Sequence, residues 1–348
     1  MAIVEQIMKV WTFYNNHYII SKSLYKSTIL DNIIHYFCRK LNIPKIYIII
    51  KMKNYDVLFK NIDTLGEGPI LDYVNNQIYW VDIGSNSFHI YSFEFNKLST
   101  YKLDRSITSI SLSFSGNLYC TSGHGFFQLY QLVQSKFEMR LISKIEENLQ
   151  NNRFNDGKAG PDGNYWAGTM DIKEKSPTGS MYILSPKVPP RKIISNLIVS
   201  NGLTWDSENN IFYLVDSARR IVTSNRYDDN FNIVERQIAV KLEESEGFPD
   251  GMTIDAEGNL WIAHWNGGRI SEWNPISHKK LQEVILPAKN ITSCCFYGKG
   301  LNRLFITSAK LNQSPIVKQY NDPNDLGGSI FLIDSGTEGT LPFKLNEP

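Results

Sequence analysis

The chain has 348 residues, of which 42% are hydrophobic and 12% aromatic, and its formal net charge is +1. This composition is typical of a soluble globular protein with a large core. It excludes the strongly basic surface of a general nucleic-acid binder and the acidic excess of a solvated tail, so we expect no nucleic-acid partner.

Residues 1–54 differ from the rest and are predicted to be a poorly ordered N-terminal extension. Residues 1–53 contain eight Lys or Arg and two Asp or Glu, a balance of +6, whereas the remainder contains 28 and 33, a balance of −5. A targeting or membrane-surface segment is the alternative. However, the apolar run 46–50 is too short to span a bilayer, so we expect no membrane partner. Met52 is a second candidate for the true start.

Cysteine usage indicates the compartment. The chain has four cysteines, and Cys294 and Cys295 are adjacent, which is poor geometry for a disulfide framework. Reduced thiols and a cytoplasmic location are therefore expected.

From residue 55 onward, the chain contains a repeat. Six short β-prone segments each carry an aromatic residue near the middle, at spacings of 40, 47, 47, 48 and 44 residues: Tyr79, Tyr119, Trp166, Tyr213, Trp261 and Phe305. A period of about 40 to 50 residues with roughly four strands per unit is typical of a β-propeller. We predict an all-β, six-bladed propeller with four-stranded blades over residues 55–348, in which Ser329–Ile333 completes the ring beside N-terminal strand material. A β-sandwich is the alternative.

Four polar residues lie at matched positions upstream of these aromatic residues. The offsets are 12, 11, 12 and 11 residues for Glu67, Asn155, Asn201 and Asp250. In a radial fold, equivalent positions lie around one axis, so these side chains should converge. Two carboxylates and an amide carbonyl, from Glu67, Asp250 and Asn201, suit Ca²⁺, Mg²⁺ or Mn²⁺ better than a structural zinc. The alternative is ordinary turn chemistry, because Asn-Gly and Asp-Gly are common hairpin signals.

Six short motifs occur in a characteristic order: Gly66–Pro69 (GEGP), Asn152–Lys158 (NRFNDGK), Ala167–Met170 (AGTM), Ser200–Leu203 (SNGL), Pro249–Met252 (PDGM) and Thr292–Phe296 (TSCCF). Over about residues 55 to 340, the chain resembles the senescence marker protein/gluconolactonase/luciferin-regenerating enzyme family, and its regucalcin branch in particular. The resemblance implies a six-bladed propeller with one divalent cation near its axis (Ca, Zn, Mn or Mg, with Ca or Mn favoured). It also implies hydrolysis of sugar lactones.

The resemblance further implies roles for individual residues. Glu67, Asn201 and Asp250 would be metal ligands, with Asp250 also the catalytic general base. Arg153 and Asn155 would bind substrate oxygens.

One position departs from the family pattern. At this position, regucalcin-like members carry an acidic residue that contacts substrate. Simple spacing places Lys173 there, so we assign Lys173 to substrate binding. This change puts the sugar-lactone preference in doubt.

The function expected is that of a metal-dependent lactonase, a carboxylic ester hydrolase of the gluconolactonase type, acting as a monomer on a small lactone. One alternative is a calcium-binding regulator without turnover. Another is a relative acting on a luciferin-related compound or an organophosphate. Arg153 and Asn155 favour an enzyme over a pure calcium binder, and Lys173 favours a shifted substrate.

Overall fold

The computed structural model describes residues 13–14, 17–18, 54–133, 136–315 and 321–347. The chain divides into two units, Met1–Asn54 and Tyr55–Pro348. In the first unit, strand β1 (Phe13–Tyr14) pairs antiparallel with β2 (His17–Tyr18). The expectation of poor order over the rest of this extension falls outside the described residues.

The second unit consists of six four-stranded antiparallel sheets, or blades, each of which runs from an innermost strand at the channel to an outermost strand at the rim. In that order, blade 1 contains β4 (Gly66–Asp72), β5 (Gln77–Asp82), β6 (Ser87–Ser92) and β7 (Lys97–Lys102). Blade 2 contains β8 (Ser109–Leu112), β9 (Leu118–Ser122), β10 (Gly125–Val133) and β11 (Lys136–Lys144). Blade 3 contains β12 (Asn152–Ala159), β13 (Tyr165–Asp171), β14 (Gly179–Leu184) and β15 (Arg191–Leu197). Blade 4 contains β16 (Ser200–Asp206), β17 (Ile211–Asp216), β18 (Ile221–Tyr227) and β19 (Ile233–Lys241). Blade 5 contains β20 (Phe248–Ile254), β21 (Leu260–Trp265), β22 (Arg269–Asn274) and β23 (Lys279–Ile285). Blade 6 contains β24 (Asn290–Tyr297), β25 (Arg303–Ala309), β26 (Ile330–Asp334) and β3 (Asp56–Phe59).

Helical structure in the described part of the chain is confined to short 3₁₀ turns at Ile83–Ser85, Ser217–Arg219 and Glu244–Glu246. Accordingly, none of the helices in these residues has the length and apolar character that crossing a membrane requires.

The innermost strands form a closed ring, because each one contacts the innermost strand of the next blade and β24 returns to β4. The predicted six-bladed propeller is therefore confirmed. Each of the six aromatic residues that defined the repeat lies in the second strand of its blade.

The core consists of six apolar layers, one between each pair of adjacent blades. Strand β5 shows why the sequence folds this way. Its alternate residues point to opposite faces, so Ile78 and Trp80 pack against blade 6 while Tyr79 and Val81 pack against blade 2. A strand buried on both faces has a continuous apolar run instead of an alternating one.

The ring closes by joining the two ends of the propeller. Strand β3 is the outermost strand of blade 6, where Phe59 is paired with Ile330 and Val57 with Phe331. N-terminal strand material thus completes the last blade, as predicted for Ser329–Ile333. The side chain of Phe59 also packs edge-on against Tyr91 of blade 1, with ring centroids 5.2 Å apart.

A C-terminal strap, residues 335–347, crosses the end of the channel where the innermost strands finish. Leu345 exchanges backbone hydrogen bonds with Leu112 and Phe114 of blade 2. Lys344 forms a buried ion pair with Asp72 of blade 1, at 3.1 Å. Further contacts join the strap to the other four blades. We call this the closed end of the channel and the opposite end the open end.

Candidate functional site

The site lies where the innermost strands begin, at the open end. Four of these strands carry an irregularity at the same place, between Glu67 and Ile70, Phe154 and Gly157, Ser200 and Leu203, and Pro249 and Met252. A β-bulge inserts an unpaired residue and redirects side chains. The repeated bulge therefore explains why the matched sequence offsets correspond to side chains at the channel axis.

Glycine is needed beside these bulges for two reasons, a left-handed backbone conformation and a close approach of neighbouring strands. Gly68 has φ +52°, a left-handed conformation that disfavours larger residues. A Cβ atom at Gly202 would lie 2.4 Å from the carbonyl oxygen of Asp250 in the next blade. The glycine in Asn-Gly therefore lets neighbouring innermost strands approach closely beside the site.

Five of the residues predicted for the site line a single cavity of about 80 Å³ at the open end: Glu67, Arg153, Asn155, Asn201 and Asp250. They come from blades 1, 3, 4 and 5. The structure thus brings together the three proposed metal ligands and the two proposed substrate contacts.

The three proposed ligands are buried, with exposed fractions of 9% for Glu67, 7% for Asn201 and 3% for Asp250. Asn201 Nδ2 donates to Ser217 Oγ at 3.2 Å, while Glu67 Oε2 accepts from the Gly68 amide at 3.0 Å. Within the described residues, the buried atoms Asn201 Oδ1 and Asp250 Oδ1 have no hydrogen-bond partner. Unpartnered buried oxygens are costly, so this arrangement is suited to a bound cation.

Electrostatics support the same interpretation. Burial, followed by repulsion from Asp156, raises the pKa of Glu67 to about 8. Burial and the neighbouring Glu67 and Asp156 carboxylates raise the pKa of Asp250 well above its ordinary value. Three carboxylates crowded in a desolvated space resist ionisation, and a divalent cation would stabilise their charged forms.

Arg153 and Asn155 form a connected pair on β12. Arg153 Nη1 donates to Asn155 Oδ1 at 2.8 Å, and Asn155 Nδ2 donates to the Ser200 carbonyl oxygen at 2.9 Å. Burial lowers the pKa of the Arg153 guanidinium, an effect that the carboxylates of Glu174 and Glu67 oppose. The guanidinium therefore lies near two carboxylates. Both of its hydrogen bonds use Nη1, so its other N–H groups can donate to a ligand.

The structure does not bring Lys173 to the cavity. Its side chain is exposed in the turn after β13, and the neighbouring Glu174 lines the cavity instead. The turn places Glu174 at φ +57°, with its amide bonded to the Asp171 carbonyl oxygen. Counting residues along the chain could not detect this local turn. As a result of the turn, Glu174 is the acidic side chain that lines the cavity here.

Other cavity residues were also missed by sequence reasoning. Trp265 Nε1 is buried without a partner among the described residues, and Trp265 lines the cavity. Ser314 Oγ, from the segment after β25, donates to Glu174 Oε2 at 2.8 Å. The aromatic end of β21 was a possible sequence signal for Trp265, whereas nothing in the repeat indicated Ser314.

A second group of potential metal ligands, Asp63, Asp82 and His89, is buried near the start of blade 1. Three of its four carboxylate oxygens already accept hydrogen bonds from the protein. Asp82 accepts from the amides of Thr64 and Leu65 at 3.0 and 2.9 Å. Asp63 accepts from Trp80 Nε1 at 2.9 Å and pairs with His89 Nε2 at 3.0 Å. Because donors occupy both oxygens of Asp82 and one oxygen of Asp63, we interpret this group as a structural connection between the closing strand and blade 1.

The fold and the cavity together define a class: a six-bladed propeller with an oxygen-rich polar cavity at the open end of its channel. Residues 65–310 match the family model described as the SMP-30/Gluconolactonase/LRE-like region, and the chain belongs to this family.

Several relatives extend the comparison. Regucalcin of Homo sapiens is 34% identical over 288 residues, covering 80% of this chain and 94% of that protein. The "Putative sugar lactone lactonase YvrE" of Bacillus subtilis is 33% identical over 279 residues, with the same coverage of 80% and 94%. The solved structure of a luciferin-regenerating enzyme is 30% identical with a TM-score of 0.77, covering 84% of this chain and 99% of that one.

Proposed function

We propose that this protein hydrolyses lactones of sugar acids with the help of one divalent cation. The observation that carries the proposal is the convergence of Glu67, Asn201 and Asp250, two of them with unpartnered buried oxygens, in the cavity that also contains Arg153. A protein that only bound calcium would have no use for the guanidinium beside the ligands.

Glu67, Asn201 and Asp250 would hold the cation, with Ca²⁺ or Mn²⁺ favoured by the all-oxygen donor set. When bound, such an ion polarises a carbonyl oxygen and lowers the pKa of water. The buried Asp250 carboxylate would also accept the proton from the attacking water, as the proposed general base.

The remaining cavity residues would orient the substrate. Arg153 donates N–H groups to ring or hydroxyl oxygens, with its fork held in place by Asn155. The indole N–H of Trp265 is a second donor. Glu174, which lines the same cavity, would accept hydrogen bonds from sugar hydroxyls. Together these groups favour a neutral, polyhydroxylated ring.

The test uses the purified protein with a panel of aldonolactones, before and after treatment with EDTA. We expect hydrolysis that EDTA abolishes and Ca²⁺ or Mn²⁺ restores. Asp250→Ala should lower kcat by roughly 100-fold or more, because it removes the proposed base, and should abolish cation binding in calorimetry. Lys173→Met, at an exposed position, is the matched control and should retain both properties.

Two outcomes would contradict the proposal. If Asp250→Ala binds Ca²⁺ and Mn²⁺ as tightly as the parent, the ligand assignment is wrong. If the parent binds the cation but hydrolyses no aldonolactone, the panel is extended to luciferin-related esters and organophosphates. Turnover there would identify a shifted substrate, and its absence would favour the calcium-binding regulator.

We also propose that the protein acts as a cytoplasmic monomer. Three of its cysteines, Cys120, Cys294 and Cys295, are free and buried, which suits a reducing compartment. Light scattering coupled to size exclusion, which should give a mass near 39.9 kDa, checks the monomer.

A further inference from the structure

The closed end of the channel contains a second cavity, separate from the proposed metal site. Its volume is about 120 Å³, its walls come from the innermost strands of all six blades, and residues 340–344 of the strap cover it. Nothing in the proposed lactonase chemistry uses this space.

Two lysines line this cavity, and their charges are compensated differently. Lys344 is paired with Asp72 and lies over the Tyr73 ring at 4.8 Å. Lys158 is half-buried, and its Nζ donates to the Met252 carbonyl oxygen at 2.7 Å. Among the ion pairs of the described residues, none involves Lys158, although the carboxylates of Asp156 and Glu67 both interact with it electrostatically. An ammonium group has three donors, so Lys158 has capacity for an anionic ligand.

The remaining walls supply two other kinds of contact. The hydroxyl-bearing residues Ser111, Thr204 and Thr253 line the cavity, and Leu112 and Phe343 form part of its apolar surface. A few polar groups placed among apolar walls are characteristic of small-molecule sites. A cavity near this size holds a molecule of about six non-hydrogen atoms, by comparison with the roughly 150 Å³ cavity that binds benzene.

We propose that this closed-end cavity binds a small 2-hydroxy monocarboxylate of the size of lactate. Its carboxylate pairs with Lys158, its hydroxyl bonds to the threonine and serine side chains, and its methyl group contacts the apolar wall. The strap forms the cover, with Phe343 packed edge-on against Trp205 at a centroid distance of 6.0 Å.

The test measures binding of sodium lactate to the full-length protein by calorimetry and by thermal shift. Sodium chloride at equal ionic strength and neutral lactamide are the ligand controls. We expect saturable lactate binding and no comparable effect of lactamide. Lys158→Met keeps the length of the side chain but removes its charge, and should weaken binding at least tenfold.

Two further variants make the result decisive. Thr253→Met fills the cavity while Lys158 remains, and it should also abolish lactate binding, so the test stands even if Lys158→Met does not fold. Asp250→Asn, at the open end, should retain lactate binding. The proposal is overturned if lactate binds Lys158→Met or Thr253→Met as tightly as the parent, if lactamide binds equally well, or if Asp250→Asn abolishes lactate binding.

Discussion

Arg153 Nη1 donates hydrogen bonds of 2.8 Å to Asn155 Oδ1 and to the Phe154 carbonyl oxygen. Asn155 in turn donates to the Ser200 carbonyl oxygen of the adjacent blade. The guanidinium is therefore fixed by its own strand, and that strand is fixed to blade 4. This arrangement would preorganise the proposed substrate contact without using the proposed metal ligands.

Removing this guanidinium should separate substrate binding from cation binding. Arg153→Ala is expected to raise KM for an aldonolactone by roughly 10- to 100-fold, since a charge-assisted hydrogen bond contributes about 1.5–3 kcal/mol. The Kd for Ca²⁺ or Mn²⁺ should change much less, because Arg153 is not a proposed ligand. Steady-state kinetics and calorimetry on the same preparation check both. Loss of the cation together with the substrate would contradict this division of roles.

A comparison of Glu174 with Lys173 tests which of these adjacent residues contacts substrate. Glu174→Gln should raise KM by roughly tenfold, because the amide loses the charged acceptor beside Arg153. Lys173→Met should leave kcat and KM near the parent values, because its side chain is exposed. The reverse result would favour Lys173 as the substrate contact. Ser314→Ala, which removes the donor to Glu174, should show an intermediate effect.

The pH dependence of stability should report on His264. Its Nδ1 lies 2.9 Å from the Glu246 carbonyl oxygen and its Nε2 lies 2.6 Å from Ser271 Oγ, inside blade 5. Burial lowers the pKa of His264 to about 4. Protonation of His264 is therefore less favourable in the folded state than in the unfolded state, where the pKa of the histidine is about 6.5.

The stabilisation from neutral His264 is fully present above pH 6.5 and is lost progressively as pH falls towards 4. The total is on the order of 3 kcal/mol. Urea unfolding of the parent and His264→Gln over this range checks it. The variant should show a flatter pH dependence between pH 4 and 6.5, and equal slopes would contradict the assignment.

Two N-terminal truncations should differ sharply. A chain that begins at Met52 keeps β3, and we expect its melting temperature to stay near that of the parent. A chain that begins at Lys60 lacks β3 and the aromatic packing of Phe59, and should lose several degrees. Differential scanning fluorimetry of the three chains checks this. A large loss on removing residues 1–51 alone would show that the extension stabilises the propeller.

The sequence by itself determined the architecture and indicated five of the residues that line the candidate cavity. Blade geometry repeats at a near-constant interval, so the six aromatic residues from Tyr79 to Phe305 revealed the number of blades. The matched offsets of Glu67, Asn155, Asn201 and Asp250 were readable because each precedes the same structural element. A bulge that recurs in equivalent strands leaves a recurring trace in the chain.

Only the tertiary structure decided which side chains complete the cavity. Glu174 lines the cavity and Lys173 does not, and the turn in which Glu174 has φ +57° could not be found by counting residues. Trp265 and Ser314 reach the cavity from blades 5 and 6, and the strap covers the closed end by contacts between residues more than two hundred positions apart. Such contacts depend on how the ring closes, and no short-range pattern in the sequence encodes them.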